Sequence, residues 1–259
     1  MSQDTRRLNE QQFTKTVSQF AASRTLERRL PNEELLRLTA PASDGRVLDV
    51  ACGVGALLAA YAPTVQRAVG VDLTMAMLDE AQARGGRSQG VLLVRGAAEQ
   101  LPFRDAAFSI VVTTWAVHHF ADPRFVVREM ARVCQPGGRV AISDSVGDED
   151  ESKRARQNAI ERLRDPSHVE MRSPSGLMAL LAAEGLIPAG TTGGSLPREL
   201  EEWWRVAATP PDASARVRTM LLETIPGDLA GLAPFLDGET LRFRHRWAIV
   251  VARRPEQAR

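Results

Sequence analysis

The sequence predicts an α/β fold, a mostly parallel sheet whose strands alternate with helices. Three observations carry this. Arg46 to Gly55 reads RVLDVACGVG, an apolar strand (Val47, Leu48, Val50) that opens into a glycine turn, with the helical pattern Leu57, Leu58, Tyr61 behind it. A second apolar run, Ala68-Val69-Gly70-Val71-Asp72, ends in an acid 17 residues after Gly55. Strand-like and helix-like patterns then keep alternating as far as Ser143, which implies a right-handed, doubly wound sheet.

The glycine turn points to a nucleotide-like ligand, and its neighbours narrow the choice. Gly53 and Gly55 let the backbone turn tightly and approach a ligand with no Cβ in the way. A dinucleotide fingerprint has a third small residue three positions after the second glycine, and here that position is Leu58. Asp49, at the strand end, repels a pyrophosphate and attracts a ligand carrying an ammonium and a sulfonium. Asp72, at the end of the second run, is of the type that accepts hydrogen bonds from ribose hydroxyls.

Along the chain, the spacing of Val17, Phe20, Ala21, Leu26 and Leu30, a break at Pro31, and then Leu35, Leu36 and Leu38 predict two helices before the first strand. Thr74 to Arg84 reads as a helix with Thr74 as its cap, Met75, Met77, Leu78 and Ala81 on its apolar face, and Gly85-Gly86 as its stop. Val91 to Arg95 is the third strand, and GAAEQLPF (96–103) follows it, with Glu99 as a helix-starting acid. Phe108 to Thr114 is the fourth strand and WAVHHFADP (115–123) follows, where Asp122-Pro123 starts a helix to Val133. The turn Pro136-Gly137-Gly138 leads to a fifth strand, Arg139 to Ser143. Beyond it, the charged segment Asp148 to Arg172 reads as a solvated face. Gly176 to Ala183 reads as a helix, Leu186 to Thr192 as a sixth strand and Arg244 to Ala252 as the final strand, with helices around Trp203-Trp204 and Val217 to Leu222.

Asp49-x-Ala51-x-Gly53-x-Gly55, the acid Asp72, GAAEQLPF and RVCQPGGRVAISD occur in that order. With them, residues 44–144 resemble the class I S-adenosylmethionine (SAM) methyltransferases of small molecules, related to those of ubiquinone and menaquinone biosynthesis. The resemblance implies a Rossmann-like fold with a seven-stranded sheet. Its last strand is antiparallel and inserted between the fifth and sixth, and helical cap elements surround it. One domain is expected over 1–259: an N-terminal helical arm at 1–40, a SAM-binding core at 44–144, cap helices and the sixth strand at 148–240, and the last strand at 244–252.

The resemblance also implies a set of site residues. Phe20 lies on the arm that folds over the cofactor; Asp49, Ala51, Gly53 and Gly55 form the first motif; Asp72 and Leu73 follow at the ribose. Met77, with Thr74 and Met75, falls near the adenine side, as do Ala97, Ala98 and Glu99. Ala97 stands where the family usually has an aspartate for the adenine amino group. Ligands in open α/β sheets sit beyond the carboxyl ends of the strands, so Thr114 and Trp115 should face the reacting end. A histidine can take a proton from a hydroxyl or amine as it is methylated, which makes His118 and His119 the candidate bases. Trp203, Trp204, Met171, Met178 and Phe235 are candidate walls of the acceptor pocket.

The implied activity is transfer of the SAM methyl group to an O, N or activated C atom of a small organic molecule, such as a quinone or polyketide, leaving S-adenosylhomocysteine. Rival readings are a SAM-binding fold used for a non-methylating reaction (a cyclase or decarboxylase), a non-catalytic SAM-binding partner, and a nicotinamide oxidoreductase. Composition bounds these readings. The chain has 259 residues, 44% of them hydrophobic, a net charge of +1 and two cysteines, Cys52 and Cys134. The charge implies no general pull toward nucleic acid or a membrane. The cysteine usage argues against a disulfide framework and for a reducing, cytoplasmic setting. No metal-ligand spacing occurs, so no metal is expected. The expected assembly is a monomer or homodimer.

Overall fold

The structure, a computed structural model, describes residues 3–22, 29–86 and 90–256. Leu26 and Arg24 of the expected N-terminal arm lie outside the described residues. The strands are β1 (Arg46–Val50), β2 (Arg67–Asp72), β3 (Val91–Arg95), β4 (Phe108–Thr114), β5 (Cys134–Ser145), β6 (Ile187–Glu199), β7 (Phe235–Asp237) and β8 (Thr240–Arg253). The helices are α1 (Gln3–Ala22), α2 (Arg29–Thr39), α3 (Ala56–Tyr61), α4 (Met75–Ala81), α5 (Pro123–Val133), α6 (Glu151–Arg164), α7 (Pro174–Ala183), α8 (Leu200–Val206) and α9 (Pro211–Glu223).

The sheet order is β3-β2-β1-β4-β5-β8-β6, with β7 paired to β8. β1 to β5 pair in parallel, and β8 runs antiparallel between β5 and β6, as the resemblance implies. The sheet has eight strands where seven were expected. The extra strand, β7, is three exposed residues that turn through Gly238 (φ +61°) into β8. With no buried face it leaves no hydrophobic alternation to read. β6 and β8 also run further than expected, since Ser195 to Glu199 pair with Arg246 to Arg242.

Alternation along each strand builds two cores. Leu48, Val50, Val111, Val140, Ile142 and Val250 face α5 and α7. Val47, Ile110, Val112, Ala141, Ile249 and Val251 face Leu35 and Tyr61 on the other side. Polar side chains at the helix starts satisfy free backbone N–H groups. Asp122 accepts from Arg124 N–H, Asp150 from Ser152 and Lys153 N–H, and Ser173 from Gly176 N–H. Thr74 sits at the α4 cap position, yet its side chain makes no capping hydrogen bond.

Two glycines set the spacing at the first loop. A Cβ on Gly70 would lie 2.7 Å from both Cys52 Sγ and Leu58 Cδ1, and one on Gly55 would lie 3.2 Å from Ala81 Cβ. Leu58, too large for a dinucleotide fingerprint, is thus accommodated by the missing side chain of Gly70 on the neighbouring strand.

The charged segment after β5 corrects its reading as a solvated face. α6 buries Gln157, Asn158, Ile160 and Glu161, and the loop after it buries Asp165, Ser167 and His168. These polar groups go inside because each finds a partner there, as buried polar groups must.

Candidate functional site

β1 and β4 are neighbours, and the strand order reverses between them. Such a switch point leaves a crevice at the carboxyl ends of the strands. Here it holds a cavity of about 160 Å³. Of the residues expected at a cofactor, Ala51, Gly53, Asp72, Leu73 and Met77 line it from the β1 and β2 loops and α4. Ala97, Ala98 and Glu99 line it after β3, Thr114 and Trp115 after β4, and Phe20 from α1. Asp49 and Gly55 do not line it. Asp49 lies beneath the loop in the sheet, and Gly55 packs against α4.

Asp72 holds the two loops together. Its Oδ2 accepts the Gly53 N–H and its Oδ1 the Thr74 N–H, each at 2.8 Å. Burial raises its pKa, and these amides, with that of Leu73, offset the rise only in part. Asp49 is 0% exposed, and neither carboxylate oxygen has a partner. Burial, and then the nearby Asp72, raise its pKa well above the ordinary value. Ala51 (φ +58°) and Trp115 (φ +55°) sit in the left-handed region, which costs a residue with a side chain roughly 1–2 kcal/mol. Both line the cavity, one at the end of β1 and the other at the end of β4.

α1 covers the opening. Asn9, Phe13 and Phe20 line the cavity, and Asn9 Nδ2 donates to His119 O at 3.0 Å. Arg6 pairs with Glu99 at 3.2 Å, and Glu10 pairs with Arg95 at 2.7 Å. Glu99 therefore starts no helix; it lies in a turn that brings its carboxylate to α1. Asn9, Asn32, Cys52 and Phe120 line the cavity without having been singled out from the sequence. Asn9, Phe13 and Phe20 recur at helical spacing within the 1–40 arm.

A second cavity, of about 70 Å³, shares Phe20, Trp115 and His119 with the first. His118, Ser145, Glu161, Arg164, Asp165, Met171, Arg198, Trp203 and His245 are among its other walls. Trp203 and Met171, expected as acceptor walls, line this second cavity. Trp204 and Met178 instead pack against core clusters, and Phe235 is exposed.

The two candidate bases differ. His118 Nδ1 is 2.6 Å from Asp144 Oδ1, and its backbone N–H donates to Asp144 Oδ2. Burial disfavours the His118 cation, but the Asp144 charge and hydrogen bond outweigh it, so its pKa is raised. With Nδ1–H held by the carboxylate, Nε2 carries the free lone pair. His119 is pushed down to about 4 by burial and by the adjacent His118. Its ring packs edge-on to Phe13, and its Nδ1 sits 3.1 Å from both Ser167 O and Ser167 Oγ. Asp144 was not among the expected site residues.

Cys52 and Cys134 are free and buried, and burial pushes the Cys134 thiol up to about 12. Among the described residues no helix is long and apolar enough to cross a membrane.

Comparison with known proteins adds a family. Residues 48–142 match a methyltransferase domain. The chain is 33% identical over 216 residues to the uncharacterized methyltransferase YcgJ of Bacillus subtilis, covering 82% of this chain and 85% of that protein. The crystal structure of YcgJ superposes with a TM-score of 0.82 at 30% identity, covering 87% of this chain and 98% of YcgJ. The demethylmenaquinone methyltransferase of Clavibacter sepedonicus is 33% identical over 108 residues, 42% of this chain and 44% of that enzyme.

Proposed function

The chain belongs to the class I SAM methyltransferase family, and on that premise we propose that it binds SAM in the larger cavity and methylates a small organic molecule at an O, N or activated C atom. The larger cavity at the switch point, walled by the glycine loop and by Asp72, carries this reading. Asp49, beneath that loop with no partner for either oxygen, is a side chain whose charged form a cationic ligand above it would favour. Asp72, fixed by two amides, keeps lone pairs for ribose hydroxyls. Leu73, Met77, Ala97 and Ala98 would supply the apolar side for adenine, with Ala97 contributing no acid. Gly53 has open space where a Cβ would stand, so the ligand can approach its backbone. Phe20 and Glu99, through α1 and its Arg6 pair, would exclude water.

SAM, when bound, supplies an electrophilic methyl whose bond to sulfur breaks as the bond to the acceptor forms, with S-adenosylhomocysteine as the leaving group. The protein's own part is to align the acceptor and to remove its proton. Alignment in a dry cavity is worth up to about 7–11 kcal/mol. His118 Nε2 takes the proton, and Asp144 holds the ring and stabilises the imidazolium that results. His119, with its low pKa and packed ring, shapes the wall between the two cavities.

Calorimetric titration with SAM, with S-adenosylhomocysteine and with NADH as control tests the cofactor. Micromolar SAM binding that is lost in Asp72→Ala supports the reading; unchanged affinity in that variant sinks the ribose assignment. A product heavier than its acceptor by one CH2 separates methyl transfer from a cyclase or a decarboxylase.

A further inference from the structure

The smaller cavity is built differently from the larger one. It is enclosed by α6, the loop after it, α8, β6 and β8, and its walls are charged and aromatic. Four charges face it, and they cancel. Glu161 accepts from His245 Nε2–H at 2.8 Å and pairs with Arg164 at 3.3 Å. Asp165 accepts from the Ser167 N–H and hydroxyl and lies 3.6 Å from Arg164. Burial, with the nearby Arg164, lowers Arg198 to about 10, so it stays protonated at neutral pH against Glu202 and Glu161. Two guanidinium groups thus balance the two carboxylates of the wall. An added ionic group would upset this balance in a poorly solvated space.

Hydrogen-bonding capacity, by contrast, is left over. Trp203, 2% exposed, has an Nε1–H with no partner. His245, 5% exposed, is held neutral by burial, and its Nε2 carries the proton that Glu161 accepts. Its Nδ1 is therefore a bare lone pair, and it too has no partner. Arg164 Nε–H is a third buried atom without one. The Trp203 and His245 rings lie 5.9 Å apart between centroids, close enough to address one small group. Native interiors rarely leave such atoms unmade, and each asks for an explanation.

We propose that this cavity is the acceptor-recognition site and that it takes a neutral, compact group bearing a hydroxyl next to a second oxygen. This rests on the methyltransferase reading above. One oxygen of the group accepts from Trp203 Nε1–H and Arg164 Nε–H, and a hydroxyl donates to His245 Nδ1. A space of about 70 Å³ holds on the order of five water-sized groups, enough for such a polar edge and too little for a prenyl tail. When a hydroxyl of the group is methylated, its O–H proton passes to His118 Nε2 as the O–C bond forms.

The test titrates protein saturated with S-adenosylhomocysteine against four probes: catechol, 1,2-dimethoxybenzene, benzoate and menadiol. Catechol is expected to bind at low-millimolar concentration or tighter. 1,2-Dimethoxybenzene, which has no hydroxyl to donate, should bind about tenfold more weakly. Trp203→Phe should weaken catechol by about fivefold or more and leave the affinity for S-adenosylhomocysteine unchanged. Equal binding of catechol and 1,2-dimethoxybenzene, tighter binding of benzoate or menadiol than of catechol, or no binding of catechol overturns the proposal. Those comparisons use the unaltered protein, so they stand even if the variant fails to fold. Failure to bind S-adenosylhomocysteine is a separate result and counts against the cofactor reading itself.

Discussion

His118 Nδ1 lies 2.6 Å from Asp144 Oδ1, and the other oxygen of that carboxylate accepts the His118 backbone N–H at 3.1 Å. One side chain therefore fixes both the ring and the loop that carries it. The base must be neutral to act, so turnover should rise with pH through the raised His118 pKa. Asp144→Asn should lower kcat about 100-fold or more and move the acid limb of the kcat profile to lower pH, because the raising charge is gone. A pH–rate series on both proteins checks this; an Asp144→Asn profile identical to the parent's would remove His118 as the base.

Asp49→Asn should separate binding from stability. Burial, and then the nearby Asp72, raise the Asp49 pKa, and a cationic ligand bound above it would favour its charged form. SAM affinity should increase as pH rises through that pKa, with proton release visible in buffers of different ionisation enthalpy. In the ligand-free protein, the neutral amide should add about 1 kcal/mol or more of stability, seen as a higher Tm. Lower Tm together with intact SAM binding would contradict the role given to Asp49.

Acid should destabilise the fold well before ordinary carboxylates titrate. His119 and His168 have folded pKa values of about 4 and about 3, below the ordinary 6.5. As pH falls through 6.5 the unfolded chain takes up protons that the folded chain refuses, so stability falls until the folded values are reached. Each unit is worth about 1.4 kcal/mol, which makes the combined loss several kcal/mol. His118, with its pKa raised, acts in the opposite direction and offsets part of it. Chemical denaturation from pH 7 to pH 4 should show the slope, and His168→Gln should flatten it. His168 Nε2–H donates to Asn158 Oδ1, whose amide orientation is set by Met171, and glutamine can preserve that bond.

Gly70→Ala should cost about 1–3 kcal/mol by overpacking. Its Cβ would stand 2.7 Å from Leu58 Cδ1 and Cys52 Sγ. Adding Leu58→Ala should recover part of the loss, and strict additivity in the double-mutant cycle would show that the two positions do not touch.

β1, β2 and β4 were legible because they are largely buried and read as apolar runs, with Asp49 and Asp72 conspicuous inside them. The larger cavity was legible for the same reason, since its walls follow directly from those strand ends. β7 was not, because nothing on it is buried. α6 was misread because a charge looks the same in sequence whether water or His245, 84 residues away, is its partner. The choice between His118 and His119 also rested on a distant residue. Both are histidines of the same loop, and only Asp144 on the next strand tells them apart.

β8 follows β6 in the chain, yet it lies between β5 and β6 and bonds to both. During synthesis, β5 must wait with an open edge until residues 240–253 have left the ribosome, and β6 has no strand to join before then. An open edge is a template for pairing with another chain, and long-range strand insertion is slow. The vulnerable period in the life of this protein is therefore the interval between the emergence of β5 and that of β8. Chains stalled within it should be the ones that engage chaperones or aggregate.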